Sequence, residues 1–294
     1  MKDLLNRYGA LLTTVFCLLT GFWLLVLVVL PNIYLFEASF RPYLPVADMG
    51  GPKDFYSVSN YATFFESPIH IQVFIGTILY SSVVTILCFC LAYPLAYYLS
   101  KVATRRMLPV LFLLLLMPLW VSEILRSFAW FIILAFKGPL NMMLMNIGLI
   151  SKPIRWMTGF QSVIIGLVYT YVLFMLFPVY NAVQSLDTNQ IEAAEDLGSP
   201  WWRTHWRVIL PHAKPGIASG SVMVFMLSAG SILVPTLLAS TTSRWFTEII
   251  QQWMFESQDW NTGSAYAFLL LIVCTVFVSV VMRIFRVKLS DIAK

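Results

Sequence analysis

Six long apolar stretches organise the 294-residue chain, at roughly 10–30, 71–99, 107–135, 160–182, 217–239 and 263–284. Each is about 20 residues or longer, which is what a helix needs to cross a bilayer. In hydrocarbon the backbone must satisfy its own polar groups, so such runs form helices. The pattern predicts an all-α membrane protein with six transmembrane helices, forming a single membrane domain over 1–294. Composition agrees: 59% of residues are hydrophobic and 11% charged, against about 25% charged in soluble domains. A soluble globule is excluded. The first stretch follows Lys2 and Arg7 but is too long for a signal-peptide core, and no small-residue cleavage site follows it. It reads as a retained span.

The polar connections set orientation. With both termini inside, twelve Lys and Arg fall on inner segments, among them Lys101, Arg105, Arg106, Arg203, Arg207, Lys214, Arg283, Lys288 and Lys294. Six, including Arg41, Lys53 and Arg244, fall on outer loops, and Arg126 lies within a span. The bias follows the positive-inside rule, so the net charge of +5 is a matter of membrane orientation and not of nucleic-acid binding. The segment 54–67 in the first outer loop reads as a short amphipathic surface helix. Cys17, Cys88, Cys90 and Cys274 all fall in spans as apolar packing residues. His70, His205 and His212 fall at loop positions and read as solvated or interfacial. No phosphate-binding loop, HExxH or nucleophile-elbow pattern occurs, so no ATP hydrolysis, metal site or catalytic residue is expected of this chain.

One inner connection, EAAEDLGSPWWRTHWRVILP at 192–211, stands out. Asp187 is placed to cap a helix, with Gln190 completing a capping box. Ile191, Ala194 and Leu197 share one face, and Glu192, Glu195 and Asp196 crowd the others. Gly198 ends the helix. Ser199 is the expected cap of a second helix with Pro200 at its first position. On that helix Trp202, Trp206 and Ile209 recur on one side and Arg203 and Arg207 on another. Pro211 and Pro215 are expected to break the chain before the fifth span. The pattern is a pair of helices meeting at a glycine, pinned to the membrane surface.

Glu192-Ala193-Ala194, then Gly198, then Ile209-Leu210-Pro211, resembles the EAA loop of bacterial ABC-importer permeases. Further stretches, NYATFF (60–65), AYPLAYYLS (92–100), LRSFAW (125–130), GPLNMML (138–144) and DWNTGSA (259–265), are similar to permeases of spermidine/putrescine importers, of the first-permease type. The resemblance covers nearly the whole chain. It implies the type I importer permease fold with six transmembrane helices, both termini cytoplasmic, and residence in the bacterial inner membrane. It implies a second permease subunit, two ATPase subunits that carry ATP and Mg, and an external solute-binding protein; no cofactor is expected on this chain. Within the loop at 185–217 it implies that Ile191, Glu192, Ala193, Ala194, Asp196, Leu197, Gly198 and Pro211 couple to the ATPase, with Glu192 pairing to a basic residue there. In the fifth span Ser231 stands where many relatives carry an acidic residue. A missing carboxylate fits a polyamine less well, so the solute that the resemblance implies widens from a polyamine to a related organic cation or an amino-acid-like compound.

Ionisable residues inside a span are costly and often functional. Glu123 and Arg126 lie three apart in the third span and share a face, either pairing with each other or facing the pathway. Trp130 follows one turn on and can stack on a cation. Tyr169 and Tyr171 in the fourth span, and Ser228 and Ser231 in the fifth, complete the candidate path. Two rival functions are a self-sufficient secondary transporter, for which neither coupling-ion sites nor inverted repeats are evident, and a lipid-modifying enzyme, whose nearest candidate pair is Glu192 with His205.

Overall fold

The computed structural model describes residues 2–44, 50–52, 54–240 and 243–287. Lys53, Lys288, Lys294 and the side chains of Lys2 and Arg7, used in the orientation argument, lie outside the described residues. Among those residues all regular structure is helical, in chain order α1 (Lys2–Leu24), α2 (Leu30–Ser39), α3 (Ser59–Glu66), α4 (Pro68–Tyr97), α5 (Leu108–Trp120), α6 (Glu123–Ile133), α7 (Pro139–Asn146), α8 (Gln161–Gln184), α9 (Thr188–Asp196), α10 (Trp201–Thr204), α11 (Leu210–Ala229), α12 (Leu233–Leu238), α13 (Phe246–Gln251) and α14 (Trp260–Phe285).

Four of the predicted apolar stretches are helices long and apolar enough to cross a membrane: Leu11–Ser39, Pro68–Val102, Gln161–Gln184 and Trp260–Phe285. The other two are broken. The third stretch is α5 and α6, bent by 90° between Trp120 and Glu123. The fifth is α11 and α12, parted at Gly230, Ser231 and Ile232. Hydropathy averages over both breaks, which is why each reads as one run in the sequence.

The chain forms two compact units. The first comprises Met1–Pro68 and Ile249–Leu269. Its long apolar helix passes through a wide turn at Leu25–Val29, where the amide of Leu30 donates to the Leu25 carbonyl, just ahead of Pro31. A proline lacks one ladder donor, and the wide turn accommodates the gap. Asn60 Nδ2 donates to the carbonyls of Ser39 and Arg41 at 2.9 and 2.8 Å, and Asn261 Nδ2 to those of Ala38 and Arg41, both at 3.0 Å. Asp259 caps α14 through the Thr262 amide and hydroxyl. Asn60, Asp259 and Asn261, three residues of the motifs NYATFF and DWNTGSA, therefore act here as loop staples. The expected surface helix over 54–67 is shorter, Ser59–Glu66, and buries Asn60 and Phe64 because Asn60 is drawn onto the chain end of α2.

The second unit comprises Ile69–Glu248 and Leu270–Lys294. α8 is its central strut, and α11 lies along it. Gly216 and Gly220, one turn apart, let the two backbones meet: a Cβ on Gly216 would lie 2.3 Å from the Pro178 carbonyl oxygen. Small residues at this spacing are how apolar helices approach closely without a hydrophobic driving force. Asn141 ties α7 to the following loop, donating to the Phe136 and Ile154 carbonyls and accepting from the Ile154 amide and Trp156 Nε1.

Candidate coupling joint and translocation site

The stretch 185–217 forms two helices meeting at Gly198. Asp187 caps α9 by accepting from the Asn189 amide at 3.0 Å, so the cap runs to Asn189 and not to Gln190. The helix ends as a full Schellman turn: the Gly198 amide donates to the Glu195 carbonyl and the Ser199 amide to the Ala194 carbonyl, with Gly198 at φ +75°. Only Gly takes that left-handed geometry at little cost. Of the predicted apolar face, Ile191 is buried and Ala194 half-buried, while Leu197 is exposed because it sits at the helix cap, past the last regular turn. Glu192, Ala193, Glu195 and Asp196 are exposed.

The second helix departs from expectation. Pro200 is itself the cap position, with φ −65° and ψ 149°, and the Ser199 hydroxyl instead accepts from Thr204 at 3.3 Å. Pro211 and Pro215 do not break the chain. A wide turn at His205–Ile209, closed by the Leu210 amide on the His205 carbonyl, leads without interruption into α11, with Pro215 inside it. The extra residue in that turn shifts the helical phase of the residues after it. Ile209 is therefore buried, while Trp201, Trp202 and Trp206 are exposed and Arg203 lies 5.4 Å over the Trp202 ring.

The joint is anchored from three sides. Leu186, Ile191, Ile209 and Ala213 belong to the same core as Ala96, Leu99, Val179 and Val183. Burying one such aliphatic side chain stabilises by about 1.5–3 kcal/mol. Lys101 Nζ, at the end of the α4 span, donates to the Leu186 carbonyl, and Ser185 Oγ lies 3.1 Å from His212 Nε2. Of the two readings of His205, solvated or interfacial, the solvated one does not hold. The residue is half-buried, its Nδ1 lies 2.7 Å from Tyr93 Oη, and its ring meets Tyr97 edge-on at 4.5 Å. Burial lowers its pKa, so the neutral ring is favoured in the folded protein. With Nε2 protonated, Nδ1 accepts from the Tyr93 phenol.

A pH dependence results from the lowered value. The contact is fully present above the ordinary His range near 6.5 and is lost as pH falls through the depressed folded value. Thermal stability of the native protein is expected to drop over that acidic range, and His205→Phe to flatten the drop. A native profile identical to that of the variant would contradict this account.

The candidate pathway residues gather where the two broken helices meet α8. α6 opens at Glu123, where the helix dipole favours a carboxylate. Tyr171 Oη, buried in mid-α8, donates to Glu123 Oε1 at 3.2 Å. No ion pair joins Glu123 to Arg126 among the described residues. Arg126 and Ser231 lie near the Tyr171 side chain. Arg126 Nε, Ser228 Oγ and Ser231 Oγ are buried without a hydrogen-bond partner. Trp130 and Tyr169 meet edge to face at 5.4 Å.

Sequence reasoning misses the segment 243–248. Its position between the fifth and sixth stretches reads as outer loop, yet Trp245 and Phe246 are wholly buried. Trp245 Nε1 donates to the Ser228 carbonyl at 3.0 Å and Thr247 Oγ1 to the Ser231 carbonyl at 2.6 Å, so this segment brings side-chain donors to carbonyls at the break. Glu248 caps it by accepting from the Trp245 amide, and burial pushes its carboxyl above the usual range. A tryptophan in a loop is the one available signal, and by itself it points equally to the membrane interface.

Broken backbone at membrane depth occurs where protein buries it or a cavity opens beside it, so this polar centre is the candidate path of a solute permease. Comparison with known proteins gives the family. Residues 88–291 match the family described as binding-protein-dependent transport system inner membrane component, and the chain belongs to it. It is 32% identical over 274 residues to the spermidine/putrescine transport system permease protein PotB of Salmonella typhimurium strain SL1344, covering 92% of this chain and 94% of that one. To PotB of Escherichia coli K12 it is 32% identical over 264 residues, covering 90% and 94%. The fold matches a bacterial alginate ABC transporter in complex with an alginate-pentasaccharide-bound periplasmic protein at TM-score 0.75, with 20% identity and 98% and 99% coverage. It also matches the MetNI methionine ABC transporter at TM-score 0.53, with 17% identity and 74% and 94% coverage. The chain is thus a multi-pass inner-membrane permease with the fold of ABC importer permeases.

Proposed function

We propose that this chain lines half of the translocation path of an ATP-driven importer, with both termini cytoplasmic and the two broken helices completing six crossings. A second permease subunit supplies the other half, two ATPase subunits bind ATP and Mg, and a solute-binding protein delivers the solute. The stretch α9–Gly198–α10 is the coupling joint: its exposed face of Glu192, Ala193, Asp196 and Leu197 docks on an ATPase subunit, while Ile191 and the anchors to α4, α8 and α11 carry movement into the spans. The observation that carries this reading is a helix capped at both ends, held to the core by buried Ile191 and half-buried Ala194, with Glu192, Ala193, Glu195, Asp196 and Leu197 exposed. Coupling then amounts to the ATPase binding two permease states with different affinity.

The solute is a polyamine or a related organic cation. Support comes from PotB, named for spermidine and putrescine, from the Glu123 carboxyl held by Tyr171, and from the Trp130–Tyr169 ring pair on the same two helices, on which a cation can stack. Uptake of labelled putrescine into vesicles holding the whole transporter tests this. ATP-dependent uptake is expected; uptake that survives ATP removal and collapses with an ion gradient would overturn it. Tyr171→Phe removes the hydrogen bond to Glu123, and since bonds to charged groups carry about 1.5–3 kcal/mol, uptake efficiency is expected to fall about tenfold or more. Glu123→Gln is expected to fall at least as far. Unchanged uptake in both variants would remove Glu123 from the path.

A further inference from the structure

A cavity of about 570 Å³ opens between α4, α11 and α14, within the second unit and away from the candidate path. Its walls are Ile86 and Phe89 of α4, Ile217 of α11, and Phe277 and Val281 of α14, with Trp206 and Lys214 lining it at the end nearer the joint. Along α11 the lining runs from Leu210 to Ser221, which at 1.5 Å per residue is about 16 Å. Phe277 stacks on buried Phe225 at 3.6 Å. The groove is therefore long and apolar, with a cation and an indole at one end.

Charge selects the occupant. The segments that line the groove, 69–93, 201–229 and 270–287, contain no Asp or Glu, while Arg203, Arg207, Lys214, Arg283 and Arg286 lie on the last two. Lys214 forms no ion pair among the described residues. An apolar slot with basic residues near one end and no acidic partner on the lining segments suits a lipid whose phosphate meets the cations and whose tail enters the slot. Exposed tryptophan at that end fits the headgroup level. We propose that an anionic glycerophospholipid of the leaflet on the joint's side seats one acyl chain in this groove with its phosphate at Lys214. That this leaflet is the cytoplasmic one rests on the functional reading above. Because α11 continues directly from the joint, the lipid sits against the element that transmits its movement.

The test is photolabelling of the assembled transporter in phosphatidylcholine vesicles doped with phosphatidylglycerol carrying a diazirine in one acyl chain, followed by peptide mapping. Label is expected on Ile86, Phe89, Ile217 and Phe277. Phosphatidylcholine carrying the same diazirine, and the Lys214→Gln variant with the anionic probe, are each expected to label about fivefold less, the weight of one basic residue near an anionic surface. Lys214→Arg should restore the labelling. Ile217→Trp, which fills the slot, should abolish it with Lys214 intact. Equal labelling by both headgroups would make the groove ordinary lipid contact, and no labelling in the assembled transporter would mean that the second permease covers it; either result overturns the proposal. Putrescine uptake measured on the same vesicles separates this outcome from failure of the transport reading.

Discussion

Gly216→Val leaves little folded permease in the membrane: that is the expected result, and the largest stability effect that the structure supports. A Cβ at Gly216 would meet the Pro178 carbonyl oxygen at 2.3 Å and the Ala182 Cβ at 2.6 Å. The obstacle is the backbone of α8, which has no rotamer by which to yield, so the helices must part along their contact. Overpacking a tight interface costs about 1–3 kcal/mol, and a clash on backbone belongs at the upper end. Gly220 has a softer neighbour. Its Cβ would first meet Met175 Sδ at 2.7 Å, and a thioether moves easily. Gly216→Ala is therefore expected to destabilise more than Gly220→Ala. Size-exclusion profiles of the detergent-solubilised chain after a heating series give the order, and a Gly216→Ala profile equal to that of the native chain would contradict the packing argument.

The second large effect is on coupling. Gly198→Pro is expected to abolish solute-stimulated ATP hydrolysis by the assembled transporter while leaving the basal rate of the isolated ATPase unchanged. Proline fixes φ near −65°, whereas Gly198 stands at +75°, and the substitution also removes the amide that donates to the Glu195 carbonyl at 2.8 Å. Gly198→Ala keeps the amide and meets no neighbour within 4 Å. It carries only the cost of a left-handed residue, about 1–2 kcal/mol, and should weaken stimulation without removing it. Glu192→Lys reverses an exposed charge without disturbing the core. Its loss of stimulation would therefore report docking, whereas the Gly198 series reports joint geometry. Native stimulation in Gly198→Pro would mean that the angle between the helices is immaterial.

The sequence makes the apolar stretches, the polar joint and its terminating glycine legible, because each rests on local rules: span length, helix capping and left-handed geometry. The breaks in two spans are less legible. Val121-Ser122 and Gly230-Ser231 interrupt otherwise apolar runs, and only tertiary partners decide whether such points bend. The partner at Ser228 and Ser231 is the segment 245–247, distant in sequence, so no local signal announces it. Gly216 and Gly220 are legible as a small-residue pair at helical spacing, but Ser228, Gly230 and Ser231 further along the span compete for the same reading. Asn60, Asn141 and Asn261 stand inside motifs whose pattern can be seen, but their work as loop staples depends on carbonyls brought near by the fold. His205 looks like a loop residue because the continuity of α10 with α11 through a wide turn hides behind two prolines.

The claim that α9 docks on an ATPase subunit is tested most directly by crosslinking. Ala193 is exposed on α9; Ala193→Cys is made with Cys17 and Cys90, the exposed native thiols, replaced by serine. The assembled transporter is treated with a short crosslinker carrying a maleimide at one end, to attach at that thiol, and a photoreactive diazirine at the other, which inserts into whatever lies against it, with and without ATP. The account predicts a product joining this chain to the ATPase subunit, with a yield that changes when ATP binds. An Ala193→Cys thiol that reacts freely with a maleimide in the assembled transporter, yet forms no crosslink to the ATPase in either state, would contradict it.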